Sequence, residues 1–277
     1  MFEIIKAIVL GIVQGATEFL PVSSSGHLVI VPWLLGWKPG DLFFDTVLHW
    51  GTLVSIFVVF WEDFVHIIQA TLTSLLRRSL ADPYAQLGWW IVLATIPAAL
   101  TGVLLKDGLE ALFHLPAAAG GFLFVTAALL LGSEWLARRK NSRQSLESLS
   151  LSDALVIGLA QAVALVPGIS RSGSTMAAGL ARGLRRDEAA RFSFLLGTPV
   201  FLGAGLLQLS DVISANPARL TAQLPALLAG FVVSAITGFV AIRFLLAFLR
   251  ARTLYPFAIY CAAMGTAVLL ISALQLR

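Results

Sequence analysis

The sequence predicts an all-α polytopic membrane protein that is built as an inverted-topology repeat. Hydrophobic residues make up 58% of the 277 residues and charged residues only 12%, a balance that excludes an ordinary soluble domain. Several apolar windows are about 20 residues long, enough for a helix to cross a hydrocarbon core of about 30 Å. Short motifs also recur between the two halves of the chain. The first two observations predict the membrane location, and the third predicts the repeat.

Six of these windows are predicted to be full transmembrane helices, at residues 42–61, 87–106, 117–136, 190–208, 225–247 and 254–274. Two further apolar stretches, 2–36 and 153–181, are each interrupted by a cluster of proline, glycine and serine. Irregular backbone at membrane depth is tolerated only where it is buried in protein or lines a wet cavity, because unpaired amides in lipid are costly. We therefore expect each stretch to form a re-entrant pair of helices.

A hydrophilic segment at 137–152 separates a first repeat at 1–136 from a second repeat at 153–277. Three motif pairs recur at an offset of 146 or 147 residues: "LGIVQ" (10–14) with "IGLAQ" (157–161), "PVSSSG" (21–26) with "PGISRSG" (167–173), and "HWGTLV" (49–54) with "LLGTPV" (195–200). Each half contains one re-entrant pair and three spans, so the odd number of crossings inverts the second half. The tips of the two pairs are expected to meet near the midplane.

Lysine and arginine residues outside the spans predict the orientation. Twelve of them lie on the side that carries 62–86, 137–152, 181–191 and 248–253, and five lie on the opposite side. Positive loops stay in the cytoplasm, so 137–152 is expected to be a cytoplasmic linker and both termini are expected to be periplasmic. This distribution also accounts for the net charge of +4, and no nucleic-acid partner is expected.

The loop "PVSSSGH" and the helix before it carry candidate catalytic residues. Gln14 and Glu18 are four residues apart, which places both on one helix face. Ser24, Ser25 and His27 follow the proline break and surround a glycine. Helix capping would need only one serine, and ionisable groups inside a membrane usually face a cavity with a function. The alternatives are a Glu18 that sits at the interface and a His27 that is bonded within the core.

The second loop, "PGISRSGST" at 167–175, has the composition of a phosphate cradle, with glycines, hydroxyls and a helix N-terminus. Arg171 needs an anionic partner at membrane depth, and its guanidinium matches phosphate oxygens bidentately. The alternative is an internal ion pair with Glu18. The candidate phosphate-binding residues are Gly168, Ser170, Arg171, Ser172 and Thr175, with Ser25 from the first loop.

Asp45 and His49 repeat the four-residue spacing on the first full span. They form either a structural hydrogen-bonded pair or a support for the residues of the site.

A carboxylate, a hydroxyl, an imidazole and a guanidinium at one buried point suit the hydrolysis of a phosphate ester or anhydride. Arg171 would neutralise charge on the phosphoryl oxygens. Ser24 or His27 would attack phosphorus, or His27 would act as the base, while Glu18 would hold a metal or orient the base. A lipid-borne phosphate is the natural substrate in a membrane. A lipid or small-anion transporter is the rival interpretation, since inverted repeats with broken helices are also a transporter design.

Over essentially its whole length the chain resembles the bacterial undecaprenyl-diphosphatase family. The resemblance rests on "QGATEFLPVSSSGH", "PGISRSGST", "FDTVLHWGT" (44–52) and "PFAIY" (256–260). It implies hydrolysis of undecaprenyl diphosphate to undecaprenyl phosphate and inorganic phosphate, which recycles the lipid carrier of peptidoglycan synthesis and confers bacitracin resistance. It also implies a bacterial plasma-membrane location and an active site that opens toward the periplasm.

The same resemblance implies a divalent cation, Mg or Ca, and carries functional roles to Glu18, Ser24, His27, Ser170, Arg171, Ser172 and Thr175. The family motif has Glu or Gln at the first acidic position, and this chain has Gln14. A metal site at Glu18 and Gln14 therefore has one carboxylate fewer than the Glu-containing version. The nucleophile, the metal and a homodimer stay open at this point.

Overall fold

The computed structural model describes residues 1–38, 40, 42–140, 144–215 and 217–275. The helices in this part of the chain are α1 Phe2–Phe19, α2 Ser24–Leu34, α3 Leu42–Val59, α4 Trp61–Arg77, α5 Pro83–Leu104, α6 Lys106–Leu112, α7 Pro116–Lys140, α8 Leu151–Val163, α9 Arg171–Arg182, α10 Arg186–Ala215, α11 Pro217–Leu249 and α12 Tyr255–Gln275. A short 3-10 helix at Leu146–Ser148 precedes α8. The predicted all-α polytopic membrane fold is confirmed.

Among the described residues, five helices are long and apolar enough to cross a membrane alone, namely α5, α7, α10, α11 and α12. The remaining predicted window, 42–61, falls on α3. This helix is long and apolar enough for a span only together with α4, and a bend of 81° separates the two helices. The sequence did not predict α4 as an element. Its first turn carries Glu62 and Asp63 and its last turn Arg77, so its apolar residues form a stripe and not a continuous span.

Large apolar side chains cover the outer surfaces of the long helices. Leu206, Val232, Ile236, Val240 and Ile259 are each at least half exposed, as expected for side chains that face lipid. Inside, glycines let helix backbones approach closely. A Cβ added at Gly11 would lie 2.7 Å from the carbonyl oxygen of Gly230, so α1 and α11 pack nearly backbone to backbone.

Each interrupted apolar stretch is a helix, a break and a second helix. In the first stretch the break lies between α1 and α2, and in the second it lies between α8 and α9. Ser23 caps α2 and Ser170 caps α9, each by accepting a hydrogen bond from a backbone amide three residues later. The position of these breaks within a membrane stays a prediction.

The helix packing follows one scheme in the two halves. α1 and α3 pack on α11 in the second half, whereas α8 and α10 pack on α5 in the first half. Two repeats related by a two-fold axis would exchange partners in this way, although the repeat itself and its boundaries stay predictions. α7 continues through Lys140, beyond the predicted end at 136, and residues 141–143 of the predicted linker lie outside the described residues.

A buried ion pair fixes the start of α10, a helix that also contacts Arg171. Both carboxylate oxygens of Glu134 accept from Arg186, at 2.8 and 2.6 Å. The amide of Leu254 also donates to Glu134, at 2.8 Å. This fully buried carboxylate therefore ties α7 and α10 to the segment that leads into α12.

Candidate active site

The two helix breaks touch each other. The Ser23 hydroxyl accepts a hydrogen bond from the Gly168 amide at 3.2 Å and another from the Gly26 amide at 3.2 Å. A Cβ added at Gly26 would lie 3.1 Å from the Gly168 Cα. Gly168 has a φ of 97°, and a side chain there would meet the Ala119 carbonyl oxygen at 2.3 Å, so only glycine fits. The expected meeting of the two loop tips is therefore seen in the structure.

An ion pair between Glu18 and Arg171 lies beside this contact. The Arg171 Nη2 donates to Glu18 Oε1 at 2.7 Å. The Glu18 side chain is only 3% exposed and that of Arg171 12% exposed. Each charge needs the other, because a buried charge without a partner is very costly. This internal pair is the alternative that the sequence left open for Arg171, and it joins the two halves of the chain.

Three neighbours on α10 set the direction of the Arg171 guanidinium. Its Nη1 donates to the Ser193 carbonyl oxygen at 2.8 Å. Its carbon lies 4.7 Å from the Phe201 ring centroid, a cation–π contact. A Cβ at Gly197 would be 2.3 Å from Nη1, so glycine there leaves room for the guanidinium. Arg171 is therefore held in place before any ligand binds.

The second oxygen of Glu18 is bonded to its own half of the chain. Oε2 accepts from the Ser24 hydroxyl at 2.6 Å and from Gln14 Nε2 at 2.9 Å. The short distance from Ser24 is typical of a hydroxyl that donates to a carboxylate. Ser24 is thus the hydroxyl poised to give its proton to Glu18.

His49, and not His27, is the imidazole next to this carboxylate. Its Nε2 lies 3.4 Å from Glu18 Oε2, and its Nδ1 donates to the Asp45 carbonyl oxygen at 2.7 Å. Since Nδ1 already carries a proton, a hydrogen bond from Nε2 to Glu18 requires the doubly protonated imidazolium. The spacing of Asp45 and His49 therefore reflects a backbone contact that orients the ring.

His27 was expected to be the catalytic imidazole, but its contacts lie away from Glu18. Its Nδ1 donates to the Ser23 carbonyl oxygen at 2.7 Å, and its Nε2 accepts from the Tyr260 hydroxyl at 2.7 Å. The His27 and Tyr260 rings are stacked, with centroids 5.7 Å apart. Both ring nitrogens are engaged, so this geometry favours a bonded core histidine, the alternative left open above. A catalytic role for His27 stays a prediction that the geometry does not support.

Glu18 and Arg171 line a cavity of about 240 Å³. Its other polar lining residues are Ser24, Ser25, Asp45, Thr46, His49 and Gln161. Its apolar lining comes from Leu28, Phe113, Ala164, Leu165, Val200, Phe201 and Ala204. A site with convergent charges and an apolar wall suits a ligand that has a charged head and a hydrocarbon part.

The remaining hydroxyls of "PGISRSGST" hold the start of α9. Ser170 caps the helix by accepting from the Gly173 amide at 3.0 Å. The Thr175 hydroxyl donates to the Arg171 carbonyl oxygen at 2.8 Å, and Ser172 donates to the Leu20 carbonyl oxygen at 3.4 Å. Within the described chain, Arg171 and Ser25 are the predicted phosphate-binding residues that line the cavity. The other four predicted residues hold the segment that carries Arg171, and they are Gly168, Ser170, Ser172 and Thr175. Direct contacts between these four and a phosphate stay predictions.

The expected divalent cation does not fit the donors as they are arranged. Glu18 accepts from Arg171, Ser24 and Gln14, so both oxygens of the one carboxylate in the predicted metal pair already accept hydrogen bonds. The described residues contain no group of three or more His, Cys, Asp or Glu side chains that could hold a metal. Mg and Ca prefer several oxygen ligands. We therefore assign no step of the reaction to a cation.

Several residues of the site were missed by sequence reasoning. Ser193, Gly197 and Phe201 on α10 position Arg171, and Tyr260 on α12 holds His27. The motifs "LLGTPV" and "PFAIY" drew attention to two of these regions, one as a repeat and the other as a resemblance. Neither motif indicates which side chain or carbonyl group reaches the site, because that depends on how distant helices pack.

Comparison with known proteins gives matches over nearly the whole chain. The family described as bacitracin resistance protein BacA matches residues 7–267. An undecaprenyl-diphosphatase of Methanosphaera stadtmanae is 44% identical over 282 residues, covering 98% of this chain and 99% of the relative. One of Thermomicrobium roseum is 45% identical over 272 residues, covering 96% and 97%. One of Pelotomaculum thermopropionicum is 43% identical over 270 residues, covering 98% and 97%.

Proposed function

This chain belongs to the bacitracin resistance protein BacA family, and from that premise we propose that the cavity at Glu18 and Arg171 is its active site. The protein is an undecaprenyl-diphosphatase of the membrane. It converts undecaprenyl diphosphate to undecaprenyl phosphate and inorganic phosphate, and so returns the lipid carrier to peptidoglycan synthesis. Bacitracin resistance follows from the same family membership.

The contact between Ser24 and Glu18 carries the assignment of the site. The Ser24 hydroxyl donates to the Glu18 carboxylate at 2.6 Å and both residues line the cavity, which is the arrangement that a nucleophile and its base require. The same carboxylate accepts from Arg171 at 2.7 Å. An incoming diphosphate competes with Glu18 for the guanidinium, because phosphate oxygens accept from arginine at least as well as a carboxylate does. Substrate binding thus frees Glu18 Oε1 at the moment when a base is needed.

The chemical step follows from this geometry. The Ser24 oxygen attacks the terminal phosphorus, its proton passes to Glu18, and the bond between that phosphorus and the bridging oxygen breaks. Undecaprenyl phosphate leaves and takes up the proton from Glu18. Water then attacks the phosphoserine and gives its proton to Glu18, while the bond between phosphorus and the Ser24 oxygen breaks. The Ser24 oxygen takes this proton back from Glu18, and inorganic phosphate is released. Arg171 binds the transferred phosphoryl group in both steps and stabilises its charge.

The lining of the cavity supports a lipid substrate. Leu28, Phe113, Leu165, Val200 and Phe201 share the cavity with the charged residues, so a prenyl chain can leave the phosphoryl site along apolar surface. We further propose that the protein lies in the plasma membrane with both termini on the periplasmic side, as the loop charges predict. The cavity mouth is proposed to open on the same side, as the family resemblance implies. A role for Mg or Ca stays a proposal from the family resemblance.

The direct test is phosphate release from undecaprenyl diphosphate by the purified protein in lipid nanodiscs. We expect one inorganic phosphate per lipid and a matching amount of undecaprenyl phosphate. A Glu18→Gln protein prepared in parallel excludes a contaminating phosphatase. Movement of the lipid between leaflets of proteoliposomes without phosphate release would contradict the proposal and favour the transporter alternative. Repeating the assay with a chelator, then with added Mg or Ca, decides whether a cation takes part.

A further inference from the structure

Gln161 on α8 is a buried amide that the reaction described above does not use. Its side chain is 0% exposed, and neither its Oε1 nor its Nε2 has a hydrogen-bond partner among the described residues. Buried polar groups are almost always bonded, and an unbonded one lowers stability. Gln161 also lines the same cavity as Glu18, Ser24 and Arg171. Gln161 therefore has an unpartnered amide and borders the space that the proposed substrate enters.

The corresponding residue in the first half shows what such an amide can do. Gln14 ends "LGIVQ" as Gln161 ends "IGLAQ". The Gln14 Nε2 donates a hydrogen bond to Glu18 Oε2 at 2.9 Å. Gln161 has no carboxylate as a partner in the described structure. An anionic oxygen in the cavity would give it the kind of partner that Gln14 has. The amide supplies a directional donor without the cost of burying a further charge.

We propose that Gln161 is a further substrate-binding residue, whose Nε2 donates a hydrogen bond to a phosphoryl oxygen of the diphosphate while Arg171 holds the transferred phosphoryl group. Its Oε1 accepts from a water molecule in the occupied cavity. This inference rests on the proposed function only for the identity of the ligand. The charged and apolar walls of the cavity suit a ligand with an anionic head and a hydrocarbon chain, and the proposed function identifies that head as a diphosphate.

The test is the affinity for a non-hydrolysable ligand, the methylene-bridged analogue of farnesyl diphosphate. Gln161→Met keeps the length of the side chain and removes both polar atoms. We expect its Kd for the analogue to rise about tenfold or more, as expected for the loss of one hydrogen bond to a charged group. Gln161→Glu should bind more weakly still, because its carboxylate repels the phosphate. The matched control is Gln69→Met on the exposed part of α4, which should bind like the wild type.

The thermal stability of the ligand-free protein separates binding from a structural role. Because Gln161→Met removes unbonded polar atoms from a buried position, its Tm should equal or exceed that of the wild type. A lower Tm, or a Kd within twofold of the wild-type value, would overturn the inference. If the wild type binds the analogue but hydrolyses no diphosphate, the proposed function fails while the binding result still decides the role of Gln161. If the wild type does not bind the analogue, the inference about Gln161 fails, whereas phosphate release from undecaprenyl diphosphate still decides the proposed function.

Discussion

Replacing Glu18 by glutamine is expected to lower kcat for undecaprenyl diphosphate by about 10² to 10⁴, the usual contribution of a general base. Ser24 and Arg171 donate to different oxygens of Glu18. In Glu18→Gln the amide oxygen can keep the contact with Arg171 and the amide nitrogen can donate to the Ser24 hydroxyl. The side chain keeps its size but can no longer take the proton of Ser24. The measurement is single-turnover phosphate release in nanodiscs, with the enzyme in excess over the lipid, so that binding and product release do not limit the rate.

The matched control for this substitution is Glu62→Gln. Glu62 is an exposed carboxylate in the first turn of α4, outside the cavity, and its replacement should leave kcat unchanged. A Glu18→Gln protein that is folded and keeps more than a tenth of the wild-type kcat would show that Glu18 is not the base. The assignment of Ser24 as the hydroxyl that Glu18 activates would then also fail.

The second large effect is on stability. Replacing Arg171 by methionine should lower the free energy of unfolding by about 3–5 kcal/mol, because it leaves the buried Glu18 carboxylate without its counter-charge. Adding Glu18→Gln to this variant should restore most of that stability, since the remaining pair is neutral. Neither variant should hydrolyse the substrate. Denaturant titration in detergent micelles, followed by tryptophan fluorescence, measures the difference.

A peripheral ion pair gives the comparison for this prediction. Arg191 and Asp63 are paired at 2.9 Å, but their side chains are 35% and 21% exposed. Arg191→Met should therefore cost no more than about 1 kcal/mol. If the destabilisation by Arg171→Met were equally small, or if the added Glu18→Gln gave no recovery, the Glu18–Arg171 pair would not be the buried, coupled unit that the structure indicates.

Hydropathy and the two interrupted apolar stretches were enough to predict the main helices. The window 254–274 corresponds closely to α12, Tyr255–Gln275, because a long apolar run between polar loops has few alternative structures. The bend between α3 and α4 was not predictable in the same way. No proline or glycine marks it, and α4 has too many polar residues for a span and no partner motif in the second half.

The site was predictable as a set of residues but not as a set of contacts. The two serine-containing loops followed from the repeat. The ion pair of Glu18 with Arg171 was only one of two partners, the other an anionic ligand, that the cost of buried charge left open for Arg171. The positions of the two histidines were not predictable, since His49 and not His27 lies next to Glu18. His27 is engaged by Tyr260, 233 residues further along the chain, and His49 reaches Glu18 from a different helix. Sequence spacing indicates which residues share a helix face, whereas these contacts depend on tertiary packing.

The most direct test of the central claim is to look for phosphate on Ser24 during turnover. Wild-type protein is mixed with undecaprenyl diphosphate labelled in the terminal phosphate, quenched in acid within the first turnover and digested for mass spectrometry. We predict a transient phosphoserine at Ser24, lost as inorganic phosphate is released, and neither label nor activity in Ser24→Ala. Phosphate release by Ser24→Ala at the wild-type rate, with no label on the wild-type chain, would contradict the account.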